Sequence, residues 1–597
     1  MTPSINKNLA EDFAGEAQTP SSFRFPRKPV ARDQGLTRTS RAVLVALCGI
    51  LTVCFLFRYQ ILSDFRFLNG DRYDQVIEIS ILEHWFNALR GFAHWSETGY
   101  FFPYEKTLGY NDGYFVYGLV YSLFRLARID PYLSAECVSA VVRAVGFYGL
   151  YLAARRLLDL GPGWATLAAV VFTLSNNAFV QASHAQLVSV GFAPVLAVLL
   201  HGMAAALRSE RRASAVAYGV SAACFYAAWL LTAFYMAWFF AFFSAFAALS
   251  SAVLTGRAGL RAAFETARRN WVPLAIVCAA FVLAALPFLS VYLAKAHETG
   301  MHPYRAARTH TLSLPDLFEV GHGNLLYGQA MTLFDHALRP SYPEWDERMT
   351  GFPPILLFLF GCGGVALFTG PKALSKALGI KDAALLRVLA VASLLTWACA
   401  FNIGGHSLWW LVYEAFPGAK ATRIVSRYPI FIAAPVIAVA VSYLAASART
   451  MAAPLLCLIC ALLVMEEISA APLVALDRTH ELARLQAVPT PPAECKAFFV
   501  SNARPEHLLD AGWDGFYSHN VDAMIIAETR HLPTVNGAST FQPPGWNLVN
   551  PDTPDYLSRI RKYAAENSVN GLCGLDLRTM TWNSAPFASD SQAITVR

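Results

Sequence analysis

The side chains best suited to chemistry lie in a few short stretches. In LNGDRYDQVIEISILEHWFNALRGFAHW, helical spacing puts Asp71, Asp74, Gln75 and Glu78 at i, i+3, i+4 and i+7, on one face. Val76, Ile77, Ile81 and Leu82 are among the other positions. The pattern predicts an amphipathic helix at a membrane surface with its acids turned one way. A carboxylate there can serve as general base toward a hydroxyl, hold a divalent cation through oxygen, or belong to a solvated acidic face. The Asn111-Asp112-Gly113 turn offers Asp112 as a second acid or as a helix cap. SNNAFVQASHAQ crowds Asn176, Asn177, His184 and Gln186 into an apolar surrounding, where they bind a sugar hydroxyl or satisfy the turn backbone. AKATRIVSRYP presents Lys420, Arg423 and Arg427 as phosphate partners or as anchors for bulk lipid headgroups. Glu466 and Glu467 end the last apolar run and can pair with those arginines or with a substrate. Five histidines between 294 and 351 match no metal motif, so no metal site is assigned; His322 and Asn324, in GHGN, can approach a ligand.

These residues must be positioned by helices in a bilayer. Of 597 residues 55% are apolar and 15% charged, against ~25% charged in soluble domains, and mean hydropathy is +0.40. That excludes disorder, collagen and a disulfide-rich scaffold, and nothing resembles a nucleic-acid module. Apolar runs at about 42–57, 132–154, 164–182, 187–207, 213–231, 232–254, 271–293, 352–369, 386–402, 428–446 and 452–466 predict about eleven spans within 42–466. Residues 1–41 read as a disordered cytoplasmic tail. Gly113 to Leu126 reads as a short interfacial or re-entrant helix. Arg155 and Arg156, Arg208, Arg211 and Arg212, Arg257, Arg261, Arg268 and Arg269, Lys372, Lys376 and Lys381, and Arg449 then share one side, which the positive-inside rule makes cytoplasmic. The loops 58–131 and 294–351, and everything from 467, fall outside.

The stretch 467–597 reads as a small outer α/β domain. From Ala471 it carries 10 Lys/Arg against 13 Asp/Glu. KAFFVS, AMIIAE, LPTVN and NGLCGLDL predict strands, and DTPDYLSRIRKYAAENS predicts a helix with Thr553 as cap. NGASTFQPPGW (536–546) predicts a loop with exposed aromatics. Nine of the 11 cysteines fall in or beside spans; Cys495 and Cys573 either bridge two strands or are unrelated thiols.

The arrangement resembles the GT-C superfamily, polytopic glycosyltransferases that use polyprenyl-phosphate-linked sugars. The resemblance rests on the acids soon after span one (Gly70-Asp71, then Asp74), on FFPYEKTLGYNDGYFVYGLVYSLFRL followed by a span ending in AARRLL, on ATRIVSRYP, and on NGASTFQPPGW. It implies an enzyme of the bacterial inner membrane that carries a sugar from a polyprenyl-phosphate donor to a glycan or lipid acceptor, with inversion. Asp71 is first choice as base or metal ligand and Asp74 second. Of cofactors it allows a divalent cation and requires none. The adjacent Asp-Glu pair of protein mannosyltransferases is absent. The alternatives are a non-enzymatic transporter or assembly factor for lipid-linked glycans, and a surface-glycan polymerase or ligase. A transporter would place charges or broken helices at mid-membrane, whereas the charges here sit mostly at the outer helix ends.

Overall fold

The computed structural model describes residues 37–343, 346–379, 383–470, 476–506 and 511–587. Lys381 and the expected tail up to residue 36 lie outside them. The first helix, α1 (Arg38–Leu56), starts within the stretch expected to be tail, because Thr37 accepts a hydrogen bond from the Ser40 amide and caps it.

The short helix Arg58–Leu62 and two longer ones, α2 (Asp74–Leu89) and α3 (Phe115–Leu126), precede the main bundle. Then come α4 (Pro131–Arg156), α5 (Pro162–Leu174), α6 (Phe192–Arg208), α7 (Arg212–Thr232), α8 (Phe234–Arg269) and α9 (Trp271–Thr299). After the second large loop follow α10 (Pro354–Thr369), α11 (Pro371–Leu378), α12 (Ala384–Ala400), α13 (Tyr428–Ser447) and α14 (Ala453–Met465). Each expected apolar run is a helix, but among the described residues only eight are long and apolar enough to cross a bilayer. α10 and α11, bent by 114°, make up to a ninth; Pro371 cannot continue α10 but starts α11 well. At 17 and 13 residues, α12 and α14 fall short of the ~20 a straight span needs.

Burial sorts the bundle. The span Val425–Ser447 is 83% buried, while Trp271–Thr299 is 11% buried. α13 is therefore the central helix, packed against α10 and α12, and α9 turns its apolar surface outward. The arginines at the C-terminus of α4, between α6 and α7, and in α8 beyond its non-helical Gly256 collect at one end. The large loops gather at the other. Phe234 N donates to Asp112 there, Tyr114 N to Thr232 O, and Ser426 N to His310 O.

The expected surface helix is different in kind. α2 is buried continuously from Gln75 to Asn87, held between α3 and a C-terminal helix, α15 (Ala511–Arg530). Asp71 stands before it rather than on its face.

The C-terminal region docks on this first loop. β1 (Phe67–Leu68) pairs antiparallel with β2 (Leu476–Asp477). β3 (Ala497–Asn502) runs parallel to β4 (Leu572–Asp576), which pairs antiparallel with β5 (Thr581–Asn583). α16 (Tyr556–Glu566) is the expected helix, though Thr553 does not cap it: Asp555 is the N-cap and makes no side-chain cap bond. AMIIAE is part of α15 rather than a strand, and LPTVN contributes one isolated bridge, Phe498 to Thr534. Cys495 and Cys573 are bonded, with Cα atoms 5.7 Å apart. Trp546 of the 536–546 loop is buried, not exposed. The chain is an all-α polytopic membrane protein with a small C-terminal α/β region.

Candidate active site

Asp71 lies in the turn that opens α2. Its Oδ1 accepts the amides of Tyr73 and Asp74 at 2.7 and 2.8 Å, two donors that a helix start leaves without intrahelical partners. Oδ2 makes no hydrogen bond among the described residues. Burial, then the charge of Asp74, lift the Asp71 carboxyl above its ordinary range; the two amides and His184 oppose this.

Asp74 begins a row of alternating groups. Its Oδ2 is 3.1 Å from His184 Nδ1, and His184 Nε2 is 3.4 Å from Glu347 Oε1. Arg427 then grips Glu347 with Nε and Nη2, both at 2.9 Å. Side-chain exposure is 40% at Asp74, 11% at His184, 19% at Glu347 and 7% at Arg427, so only the Asp74 end is open. Burial and Arg427 pull the His184 pKa down, but the contacts with Asp74 and Glu347 outweigh them and raise it. Burial pushes Glu347 up, but Arg427 and His184 hold it below the usual carboxylate range.

Aromatic hydroxyls line the same mouth. Tyr114 OH donates to Gln186 Oε1 at 3.0 Å. Tyr235 OH accepts the Arg423 and Ile424 amides at 2.7 and 3.2 Å. Tyr517 of α15 meets Tyr73 edge-on at 5.4 Å. Asp112 is a cap: its carboxylate accepts from Phe234 N at 2.8 Å. Burial lifts its pKa to about 6, against Phe234 N–H and the Arg427 charge. Gly113 is required beside it, since a Cβ there would sit 2.3 Å from Leu231 O.

The sequence-derived candidates therefore divide. Asp74, His184 and Arg427 meet around Glu347, with Asp71 beside Asp74 and with Gln186 and Arg423 close by. Glu466 does not join them, nor does it reach the arginines: it accepts the Ile355 and Leu356 amides at the start of α10 and the Tyr327 hydroxyl. Arg427, expected to be an exposed phosphate partner, is buried against Glu347, whereas Arg423 is exposed. Asn324 donates to Asn176 and to Glu466 O, and His322 pairs with Asp335. No pattern in the sequence marks Glu347, Tyr235 or Tyr517, which lie on loops or helices without periodic signal. The acid-rich EWDER stretch was the only hint of Glu347. Among the described residues no three His, Cys, Asp or Glu side chains converge on a possible metal position.

No protein-family model matches the chain, and no curated protein matches it. Among solved structures, the fold is similar to that titled the single-particle cryo-EM structure of arabinofuranosyltransferase AftD from Mycobacteria. Identity is 15%, the TM-score is 0.46, and the match covers 85% of this chain and 32% of that one. The chain thus spans about a third of the length of that protein.

Proposed function

We propose that the chain is a membrane glycosyltransferase of the GT-C type, acting at the outer face of a bacterial cytoplasmic membrane. It moves a sugar from a polyprenyl-phosphate donor to a hydroxyl of a glycan or lipid acceptor. The observation that carries this reading is the Asp71 carboxylate. One oxygen is fixed by two backbone amides, the other makes no hydrogen bond among the described residues, and its proton affinity is raised. A base needs that arrangement: fixed geometry, one available lone pair and a pKa shifted toward the working pH. In the reaction Asp71 Oδ2 takes the acceptor hydroxyl proton, and the hydroxyl oxygen attacks the anomeric carbon. The bond from that carbon to the phosphate oxygen breaks with its electron pair, polyprenyl phosphate departs, and the configuration inverts. Arg423, exposed at the mouth, meets the phosphate. The Asp74–His184–Glu347–Arg427 row fixes the floor beside Asp71.

The test is Asp71→Asn in the full-length protein, assayed with lipid-phosphate sugars. Transfer should fall by ~10²–10⁴-fold, the range of a lost general base, with expression and thermal midpoint unchanged. Normal transfer in a folded Asp71→Asn variant would remove Asp71 as base.

A further inference from the structure

The Asp71 turn is fastened by the far end of the chain. Arg72, next in sequence, sends Nε to Glu481 Oε1 at 3.0 Å and Nη2 to Asp522 Oδ1, partners 409 and 450 residues away. Glu481 lies on the helix Arg478–Gln486 and Asp522 on α15. Asp522 also takes Arg484 at 3.4 Å and Arg504 at 3.3 Å, and Arg484 pairs with Glu506. The side chains of Arg72, Glu481, Asp522, Arg484 and Arg504 are each 7% exposed or less.

Burying charges this way is a poor source of stability, because desolvation offsets most of the attraction. What a planar guanidinium fork does supply is direction. Here the fork spans two elements of the C-terminal region, and the backbone it leaves carries the Asp71 carboxyl on one side and the Tyr73 amide on the other. Tyr73 is itself braced by Tyr517, also on α15. The turn that orients Asp71 is thus pinned at both Arg72 and Tyr73 by one helix.

We propose that Arg72 is a positioning residue: through Glu481 and Asp522 the C-terminal region fixes the Asp71 turn, and the rate of transfer depends on that fastening. The inference rests on Asp71 being the base.

Arg72→Lys and Glu481→Gln in the full-length protein test it, since the first keeps the charge without the fork and the second keeps the Asp522 contact. Each is measured for thermal midpoint, for amide hydrogen exchange across 71–75, and for kcat and KM with a lipid-phosphate sugar. The expected result is a near-native midpoint for Arg72→Lys, a lower one for Glu481→Gln because a buried charge loses its partner, and in both faster exchange at the Tyr73 and Asp74 amides. With it, kcat should be ~10–100-fold lower, as for a small misplacement of a reacting group, with KM little changed. Folded variants with native kcat overturn the proposal, and so does lost kcat with unaltered exchange. Should both variants fail to fold, Glu481→Asp, which keeps the charge and shortens the reach, is held to the same readouts. Asp71→Asn measured alongside separates the two readings. If it is active, the base and the clamp both fall. If it is inactive while folded Arg72 and Glu481 variants turn over normally, only the clamp falls.

Discussion

Two arginines four residues apart have different environments, and their variants should separate cleanly. Arg427 is buried with both contacts on Glu347. Arg427→Ala leaves that carboxylate only His184, and breaking a buried pair costs about 3 kcal/mol where one partner stays partly exposed. Arg423→Ala should leave the thermal midpoint in place while weakening apparent donor affinity by about ten- to a hundredfold, the loss of one charge-assisted contact. Equal midpoints for the two variants would contradict the burial of Arg427, and unchanged affinity in Arg423→Ala would leave it a headgroup anchor. Titration gives a second check. Burial and then the Asp74 charge raise Asp71, so its base form is lost as pH falls through a value above the ~3.9 of free aspartate. Asp74→Asn removes the second cause, and the acid limb of kcat/KM should move to lower pH. A shift upward would show that Asp74 does not act on the base through charge.

Elements were legible where pattern and packing agree. Long apolar runs became helices because a bilayer demands that backbone polar groups be satisfied within the segment. The acid spacing after span one predicts a helix face. The helix is there, but it begins at Asp74, and protein covers it on all sides. AMIIAE predicts a strand but forms a helix, because a short apolar run buried all round looks alike in either form. The segments forming the site could be named, but the pairing of Asp74, His184 and Arg427 through Glu347 depends on loop paths that no periodicity encodes. The α2–α3 packing yields a prediction of its own. A Cβ at Gly118 of α3 would lie 2.4 Å from Trp85 Cγ, and Trp85 Nε1 donates to Gly113 O at 2.6 Å. Gly118→Ala should therefore push α3 off α2 and destabilise the fold by ~1–3 kcal/mol. A lowered thermal midpoint with reduced transfer is expected; an unchanged midpoint would show that the contact yields freely.

For the molecule as a whole, two independent features point the same way. Arg155 and Arg156, Arg208, Arg211 and Arg212, and the arginines of α8 beyond Gly256 collect at the end of the bundle away from the site, where the positive-inside rule expects cytoplasm. The Cys495–Cys573 bond lies in the C-terminal region that docks on the site end, and disulfides persist in oxidising compartments. Neither observation uses the other, since one concerns loop charge and the other redox chemistry. Together they predict a C-terminus outside and a site facing the periplasm. An alkaline phosphatase fusion after residue 587 should be active, and both thiols should resist alkylation until reduced. Cys573→Ser should lower the stability of the C-terminal region by up to ~4–5 kcal/mol for a loop of this length, less where the denatured chain retains structure. Because that region carries Glu481 and Asp522, the same variant should slow transfer although neither cysteine touches the site. An active fusion with an oxidised pair and an unimpaired Cys573→Ser enzyme would keep the topology but disconnect the outer region from catalysis. A reduced pair with an inactive fusion would turn the molecule over and take the outer-face mechanism with it.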